Sequence, residues 1–237
     1  MRPRVSAIEK KLRSNLLPFG VRAMAERDLS QLAEIEHDAF PALFPPTSFR
    51  REMRNRLANY LVAWRRDGAS QRDTYIEDGA EPDSDARPRI SRLLRSARSV
   101  WTRHYTTWEP GQDFLAGFVG TWYMDDEAHI VAVGVRAEYQ GQGIGELLLI
   151  AAIEHAMGRS TRVVTLEVRV SNIAAKSLYK KYGFSAKGIR KRYYTDNRED
   201  ALIMTTEPIQ VPPYPAQFGA AVQDHERRWR HAERLLS

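Results

Sequence analysis

The spacing of hydrophobic residues changes repeatedly along the chain, and each change predicts a strand or a helix. A short strand at 20–24 leads into a helix whose apolar residues recur three or four positions apart, at Leu29, Leu32, Ile35 and Ala39. Later patterns predict helices at 48–57, about 145–157 and 172–183, and strands at 59–64, 113–124, 129–135, 162–170, 188–194 and 200–207. Strands and helices intermix, so we expect an α/β (α+β) fold with helices on both faces of one sheet.

The connection between the strands at 59–64 and 113–124 is much longer than connections inside a compact domain usually are. Its first part, 72–88, is acidic and rich in turn-forming residues, whereas 89–104 combines an apolar helical stripe with several arginines. We expect this predicted helix to pack on the domain rather than to bind RNA or a membrane surface. The predicted organisation is an N-terminal extension at 1–19, a domain at 20–208 with an insert at about 65–112, and a basic helical tail at 209–237.

Composition narrows the classes of protein that remain. The 237 residues are 43% hydrophobic and 28% charged, which is typical of a globular protein, and none is cysteine. A disulfide framework and a thiol nucleophile are thereby excluded, and six scattered histidines without ligand spacing predict no metal site. The formal charge of +6 favours an anionic partner without choosing among nucleic acid, acidic protein and phosphorylated cofactor. No apolar run is long enough to span a membrane, so we expect a soluble cytoplasmic protein.

Three glycines separate the strand at 129–135 from the next helix, and they are Gly141, Gly143 and Gly145. Their main-chain N–H groups can converge on an anion at a helix N-terminus, although a simple tight turn would use the same residues. A Walker loop is excluded because Glu146 and Leu147 stand where Lys and Ser or Thr are required. A dinucleotide-binding fingerprint needs another glycine in place of Glu146, and the acidic Glu167 downstream lies inside a strand pattern.

The hexapeptide from Gln140 to Gly145, QGQGIG, resembles the Q/R-x-x-G-x-G/A signature of the GNAT acetyltransferases. The segments LEVRVSNIAAKSLYKKYGF and RKRYYTDNREDALIM resemble, more narrowly, the enzymes of this family that acetylate the N-terminal alanine of a ribosomal protein. The resemblance is strong over 129–206 and weaker over 21–64. It implies a mixed, mostly antiparallel sheet in which the strands at 129–135 and 162–170 splay apart to admit acetyl-CoA.

The resemblance also implies which residues hold the cofactor. The main chain of the loop would bind the diphosphate, through Gln140, Gly141, Gln142, Gly143, Ile144, Gly145 and Glu146. The strand edge at Val133, Gly134 and Val135 would pair with the pantetheine amides as a neighbouring strand does. Asn172 is expected to cap the helix at 172–183 and, by resemblance, to contact the cofactor.

Further residues match positions that carry the chemistry in the family. Glu167 matches the proposed base, which is needed because an α-amino group with a pKa near 7.7–8.0 is mostly protonated at neutral pH. Tyr179 matches the proton donor to the departing thiolate, but a phenol with a pKa near 10 serves a thiolate mainly as a hydrogen-bond donor. Tyr193 and Tyr194 match the wall of the acceptor site, although paired aromatic residues in a strand are also common packing residues.

These observations, with the resemblance, predict an acetyl-CoA-dependent N-acetyltransferase that acts by direct attack in a ternary complex on a protein N-terminus, with a ribosomal protein as one candidate acceptor. A lysine side chain or a small amine is the alternative acceptor, because this fold specifies the donor better than the acceptor. From a different class, a non-catalytic module that binds RNA or the ribosome through the basic insert stays open.

Overall fold

The computed structural model of the protein describes residues 19–41, 45–65, 107–109 and 111–236. The chain divides into two compact units, one formed by 1–65 with 115–237 and the other by 66–114. In the second unit, the Trp108 indole donates a hydrogen bond to the Gln112 carbonyl over 2.9 Å. The helix predicted within 89–104 and most of the N-terminal extension lie outside the described residues.

One mixed sheet runs through the larger unit. Its strands are β1 (Gly20–Ala23), β2 (Ala58–Arg65), β3 (Phe114–Met124), β4 (Glu127–Val135), β5 (Val163–Arg169), β6 (Phe184–Arg190), β7 (Ala201–Thr206) and β8 (Arg234–Leu235). They are ordered β6-β7-β5-β4-β3-β2-β1-β8. The β4–β5 and β1–β8 pairs are parallel, whereas β1–β2, β3–β4, β5–β7 and β6–β7 are antiparallel. The predicted mixed, mostly antiparallel sheet with helices is confirmed.

The helices are α1 (Leu29–Ala39), α2 (Phe49–Glu52), α3 (Ile144–Gly158), α4 (Ile173–Lys181) and α5 (Tyr214–Trp229), with short 3-10 turns at Glu26–Asp28 and Ala137–Tyr139. Helix α3 is apolar on nearly every side, and this pattern is typical of a helix that is buried all round. Its side chains from Leu147 to Ile153 are all at most 2% exposed. The start of α3 is therefore held firmly at the centre of the unit.

A β-bulge in β4 opens the sheet. Opposite β3, Ala132 pairs with Gly120 and Ile130 pairs with Thr121, so Val131 is an extra residue without a counterpart. The β4–β5 ladder ends at the same place, where Ile130 pairs with Leu166. A bulge bends its strand and increases the local twist, which accounts for the separation of β4 from β5 beyond this point. The predicted splay of these two strands is thus present.

Two elements differ in extent from their predicted boundaries. The helix predicted at 48–57 is only one turn long, because the Asn55 side chain accepts the Leu57 N–H at 3.0 Å and stabilises a turn instead. The strand predicted at 188–194 runs from Phe184 to Arg190, because Arg192 adopts a positive φ of 51° and its N–H bonds to Asp200. Tyr193 and Tyr194 consequently lie in an irregular segment after that turn, and their predicted place in a strand is wrong.

Both ends of the sheet carry features that the sequence patterns did not predict. At one end, β8 adds a short parallel strand to β1, with Val21 opposite Arg234. At the other end, the register of β6 against β7 slips between Ala186 and Gly188, which leaves Lys187 as an extra residue. The segment before β8 is the helix α5, which buries Tyr214, Phe218, Ala221 and His225. No helix in the described ranges is long and apolar enough to cross a membrane.

Candidate functional site

The loop between β4 and α3 presents a run of main-chain donors. Gly141 and Gly143 adopt positive φ angles of 73° and 78°, and Gly143 is the N-cap of α3. Leu147 donates the first N–H bond of the helix, to the Gly143 carbonyl at 2.9 Å. Within the described residues, the N–H groups of 141–146 have no hydrogen-bond partner. Unpaired amides at a helix N-terminus form a binding site for an anion such as a diphosphate.

Side chains of this loop stabilise its conformation through hydrogen bonds to nearby main-chain carbonyls and side chains. The Gln140 amide donates to the Val135 carbonyl at 3.1 Å, and the Gln142 amide donates to the Glu138 carbonyl at 2.9 Å. Glu146, in the first turn of α3, accepts hydrogen bonds from the Tyr182 hydroxyl and the Lys181 ammonium, both at 2.8 Å. Its negative charge is therefore neutralised beside the loop. The main-chain N–H groups are therefore available to bind an anion, and the Glu146 carboxylate does not repel it.

The three glycines do not contribute equally. A Cβ added at Gly143 would lie 2.6 Å from Cγ of Trp229, whereas one at Gly145 would meet only Val135 at an ordinary 3.7 Å. Nothing lies within 4 Å of a Cβ at Gly141, whose positive φ is the reason for glycine there. The structural need for glycine is thus greatest at Gly143.

The edge of β4 beyond Ile130 is the second part of the candidate site. Val133, Gly134 and Val135 pair with β3 through Val119, Phe118 and Gly117. On the side that faces β5, the ladder has already ended, so this edge has no strand partner among the described residues. Exposed peptide groups on a strand edge can pair with the amides of an elongated ligand, as in strand addition.

Glu167 is the first residue of β5 beyond the last pair with β4, and it lies at the closed end of the opening. Its carboxylate contacts His129 Nε2 at 3.0 Å through one oxygen and Arg190 Nε at 2.9 Å through the other, with the side chain only 7% exposed. The hydrogen bond from His129 and the charge of Arg190 hold the pKa of Glu167 below its ordinary value. Neither partner of Glu167 is apparent from the sequence. His129 lies at the start of the predicted strand 129–135, but the strand register, which pairs it with Thr165 and so brings its side chain to Glu167 two positions on, is a tertiary property.

The tyrosines predicted for the site lie close to this cluster. The Arg190 guanidinium lies 5.7 Å from the centre of the Tyr193 ring, and that ring meets Tyr194 edge to face at 5.2 Å. Arg169 covers Tyr194 at 3.8 Å. Its guanidinium is oriented by bonds to Asp196, Asn197 and Glu199.

Tyr179 packs against Phe184, with ring centres 5.7 Å apart, and its hydroxyl has no hydrogen-bond partner within the described part of the chain. Burial raises the pKa of Tyr179 to about 12. The phenol therefore stays protonated at any physiological pH. It can donate a hydrogen bond, but it is a weaker proton donor than a free tyrosine.

Asn172 is the N-cap of α4, and its side-chain oxygen accepts the Ala175 N–H at 3.1 Å. The capping half of its predicted role is therefore present in the structure. No group of His, Asp and Glu residues in the described ranges is arranged to hold a metal ion.

Glu167 also makes folding stability depend on pH. Because the folded state favours the ionised carboxylate, Glu167 contributes stability above its ordinary pKa of 4.5 that is lost as the pH falls through the lowered folded-state pKa. We expect the difference in unfolding free energy between wild type and Glu167→Gln to shrink on acidification from about pH 6 to about pH 3. Chemical denaturation across this range measures the difference, and a difference that grows instead would contradict the assignment.

A strand pair opened by a bulge, with unpaired amides at the N-terminus of the next helix, has the shape and polarity to receive an extended, anionic ligand along its edge. The model of the acetyltransferase (GNAT) family matches residues 63–184, which is just over half of the chain. This chain belongs to the GNAT acetyltransferase family.

Relatives within the family are informative about the subgroup. The chain is 44% identical over 99 residues to the ribosomal protein bS18-alanine N-acetyltransferase of Escherichia coli (strain K12), a match that covers 41% of this chain and 66% of that protein. It is 29% identical over 189 residues to the N-alpha-acetyltransferase RimI of Mycobacterium tuberculosis, covering 79% of this chain and 91% of that protein. The first match thus spans slightly less than two thirds of its relative.

Solved structures show the same fold. The crystal structure of the ribosomal-protein-S18-alanine N-acetyltransferase from Escherichia coli superposes with a TM-score of 0.54 and 26% identity, over 81% of this chain and 95% of that chain. The predicted fold is therefore confirmed.

Proposed function

We propose that this protein transfers the acetyl group of acetyl-CoA to the α-amino group of a protein N-terminus. The observation that carries the proposal is the opening between β4 and β5. It has the unpaired amides of 141–146 on one side and the Glu167 carboxylate at its closed end. Family membership supports the reaction type, and the names of the relatives support an α-amino acceptor.

The cofactor is proposed to lie along this opening. The N–H groups from Gly141 to Glu146 would receive its diphosphate, and the free edge of Val133, Gly134 and Val135 would pair with its pantetheine amides. Acetyl-CoA supplies the activated acyl group as a thioester. Because none of the 237 residues is cysteine, the acyl group has no enzyme thiol to rest on, and direct attack by the amine is the simplest route.

The proton of the attacking ammonium is proposed to leave through Glu167. Glu167 is a weak base because the hydrogen bond from His129 stabilises its carboxylate, so it would hold the ammonium proton only transiently while the neutral amine attacks the thioester. Arg190 fixes the other carboxylate oxygen and so orients the pair. Tyr179, with its raised pKa and unengaged hydroxyl, would donate a hydrogen bond to the departing sulfur and would not transfer its proton outright.

The acceptor is proposed to enter past Tyr193 and Tyr194, which adjoin Arg190 and Arg169 in front of the Glu167 cluster. A peptide N-terminus is preferred to a lysine side chain because the relatives named above act on an N-terminal alanine or an α-amino group. A ribosomal protein is the leading candidate, and with it a cytoplasmic location.

Peptide acetylation read by mass spectrometry tests the acceptor class. Two peptides of the same sequence, each with an N-terminal alanine and one internal lysine, are incubated with acetyl-CoA, one with a free and one with a formylated N-terminus. We expect a single acetyl group on the free N-terminus and no modification of the formylated peptide. Acetylation of the lysine in both peptides would reassign the protein to lysine acceptors, and a small-amine panel distinguishes the remaining alternative.

A further inference from the structure

The C-terminal helix α5 lies outside the residues that match the family model, yet it packs against the anion-binding loop. Two residues on α5 contact the same glycine. The Trp229 ring lies so close to Gly143 that a Cβ there would be 2.6 Å from the ring. The His225 Nε2 atom lies 3.1 Å from the Gly143 carbonyl oxygen.

The contact between His225 and Gly143 defines the state of the imidazole. A carbonyl oxygen can only accept a hydrogen bond, so the Nε2 atom of His225 carries the proton and is the donor. The same Gly143 oxygen also accepts a hydrogen bond from the Leu147 N–H. His225 is fully buried, and its Nδ1 atom has no partner among the described residues. Burial lowers the pKa of His225, which favours this neutral form. In this neutral form, His225 donates a hydrogen bond to the loop at the Gly143 carbonyl.

A second set of contacts ties α5 to the first turn of α3. The Lys181 ammonium bridges Glu146 of α3 at 2.8 Å and Asp224 of α5 at 2.5 Å. The Tyr182 hydroxyl donates to the same Glu146 carboxylate. The 141–146 segment is therefore held at its N-cap glycine by α5 itself and at its last residue through Lys181, which α5 also binds.

We propose that Trp229 and His225 are positioning residues that hold the loop at 141–146 in the conformation that binds the diphosphate of the acetyl donor. A glycine-rich loop is costly to order, and a loop that is ordered in advance binds its ligand more tightly. The inference rests on the proposed function and adds that the C-terminal helix is part of the donor site. Under this proposal, α5 strengthens the binding of acetyl donors that carry a diphosphate and has no effect on donors that lack one.

Two donors separate this role from general stabilisation. Acetyl-CoA carries the diphosphate, whereas S-acetyl-pantetheine keeps the thioester and both amides but lacks it. Trp229→Ala and, separately, His225→Leu are compared with wild type, with Trp229→Phe as the conservative variant and the exposed Gln223→Ala on the same helix as control. Initial rates with a peptide acceptor give kcat and KM for acetyl-CoA and kcat/KM for S-acetyl-pantetheine, and thermal melts verify folding.

We expect Trp229→Ala and His225→Leu to raise the KM for acetyl-CoA at least tenfold with kcat within about twofold of wild type, a shift of about 1.4 kcal/mol in binding. The kcat/KM for S-acetyl-pantetheine should stay within about twofold, and Trp229→Phe should recover most of the acetyl-CoA affinity. Equal losses with both donors, or no loss with either, would overturn the inference while leaving the proposed function standing. A wild-type protein that acetylates no amine from either donor would overturn the proposed function itself.

Discussion

Replacement of Glu167 by Gln is expected to lower kcat by about a thousandfold, within the range that removal of a general base produces. Glutamine keeps the size of the side chain, but it cannot act as a base. Its carbonyl oxygen can accept a hydrogen bond from either His129 or Arg190, and its NH2 group cannot accept from the other. The deficit should be largest below about pH 8, because above that pH more of the acceptor amine is already neutral. Affinity for acetyl-CoA should change little, since the diphosphate loop does not involve Glu167.

Steady-state acetylation of a peptide with a free N-terminus, followed from about pH 6 to pH 10, measures both effects. The matched control is Glu207→Gln, which alters an exposed carboxylate at the far end of β7. Calorimetric titration with CoA verifies that the variant still binds the cofactor. A Glu167→Gln protein with wild-type turnover at every pH would remove Glu167 from the chemistry.

Replacement of Gly143 by Ala is expected to lower the free energy of unfolding by about 2–4 kcal/mol and to weaken CoA binding more than tenfold. Two costs combine at this position. The φ of 78° disfavours any residue with a Cβ, and the new Cβ would lie 2.6 Å from the Trp229 ring. The ring or the loop must move, and either movement disturbs the amides that face the anion.

Two other glycines provide a graded comparison. Gly141→Ala carries the cost of positive φ without a steric contact, so a loss of about 1 kcal/mol is expected. Gly158→Ala, at the opposite end of the same helix, meets nothing within 4 Å and should leave stability unchanged or raise it by up to about 1 kcal/mol. Urea denaturation and CoA calorimetry on the three variants measure the order, and equal effects at Gly143 and Gly158 would contradict the steric argument.

Local patterns were sufficient to predict most of the strands and helices, because the periodicity that identifies them depends only on residues close in sequence. The extra strand β8 was missed because two residues, Arg234 and Leu235, are too few to show a period. The predicted helix at 48–57 failed for a different reason. Its charged residues fit a helix, but the side chain of Asn55 competes for a backbone N–H and ends the helix early.

The candidate site was predictable only as far as the chain supplies contiguous motifs. The loop at 141–146 and the position of Glu167 follow from short segments that resemble the family. The partners of Glu167 do not, because His129 is 38 positions before it in sequence and Arg190 is 23 after it, and only the strand register brings them together. The contact of Trp229 with Gly143 is equally remote in sequence, and a tail with mixed charges gives no sign of it.

The two outer edges of the sheet affect the tendency of this protein to aggregate at high concentration. A bare outer strand offers unpaired peptide groups to any other chain and so favours edge-to-edge aggregation. Here the edge of β1 is occupied by β8, and the opposite edge is kinked at Lys187, which places a charge in the bulge. Among the described strands, the internal gap beside β4 also leaves peptide groups open for pairing, and an elongated small ligand fits this gap better than a neighbouring protein does.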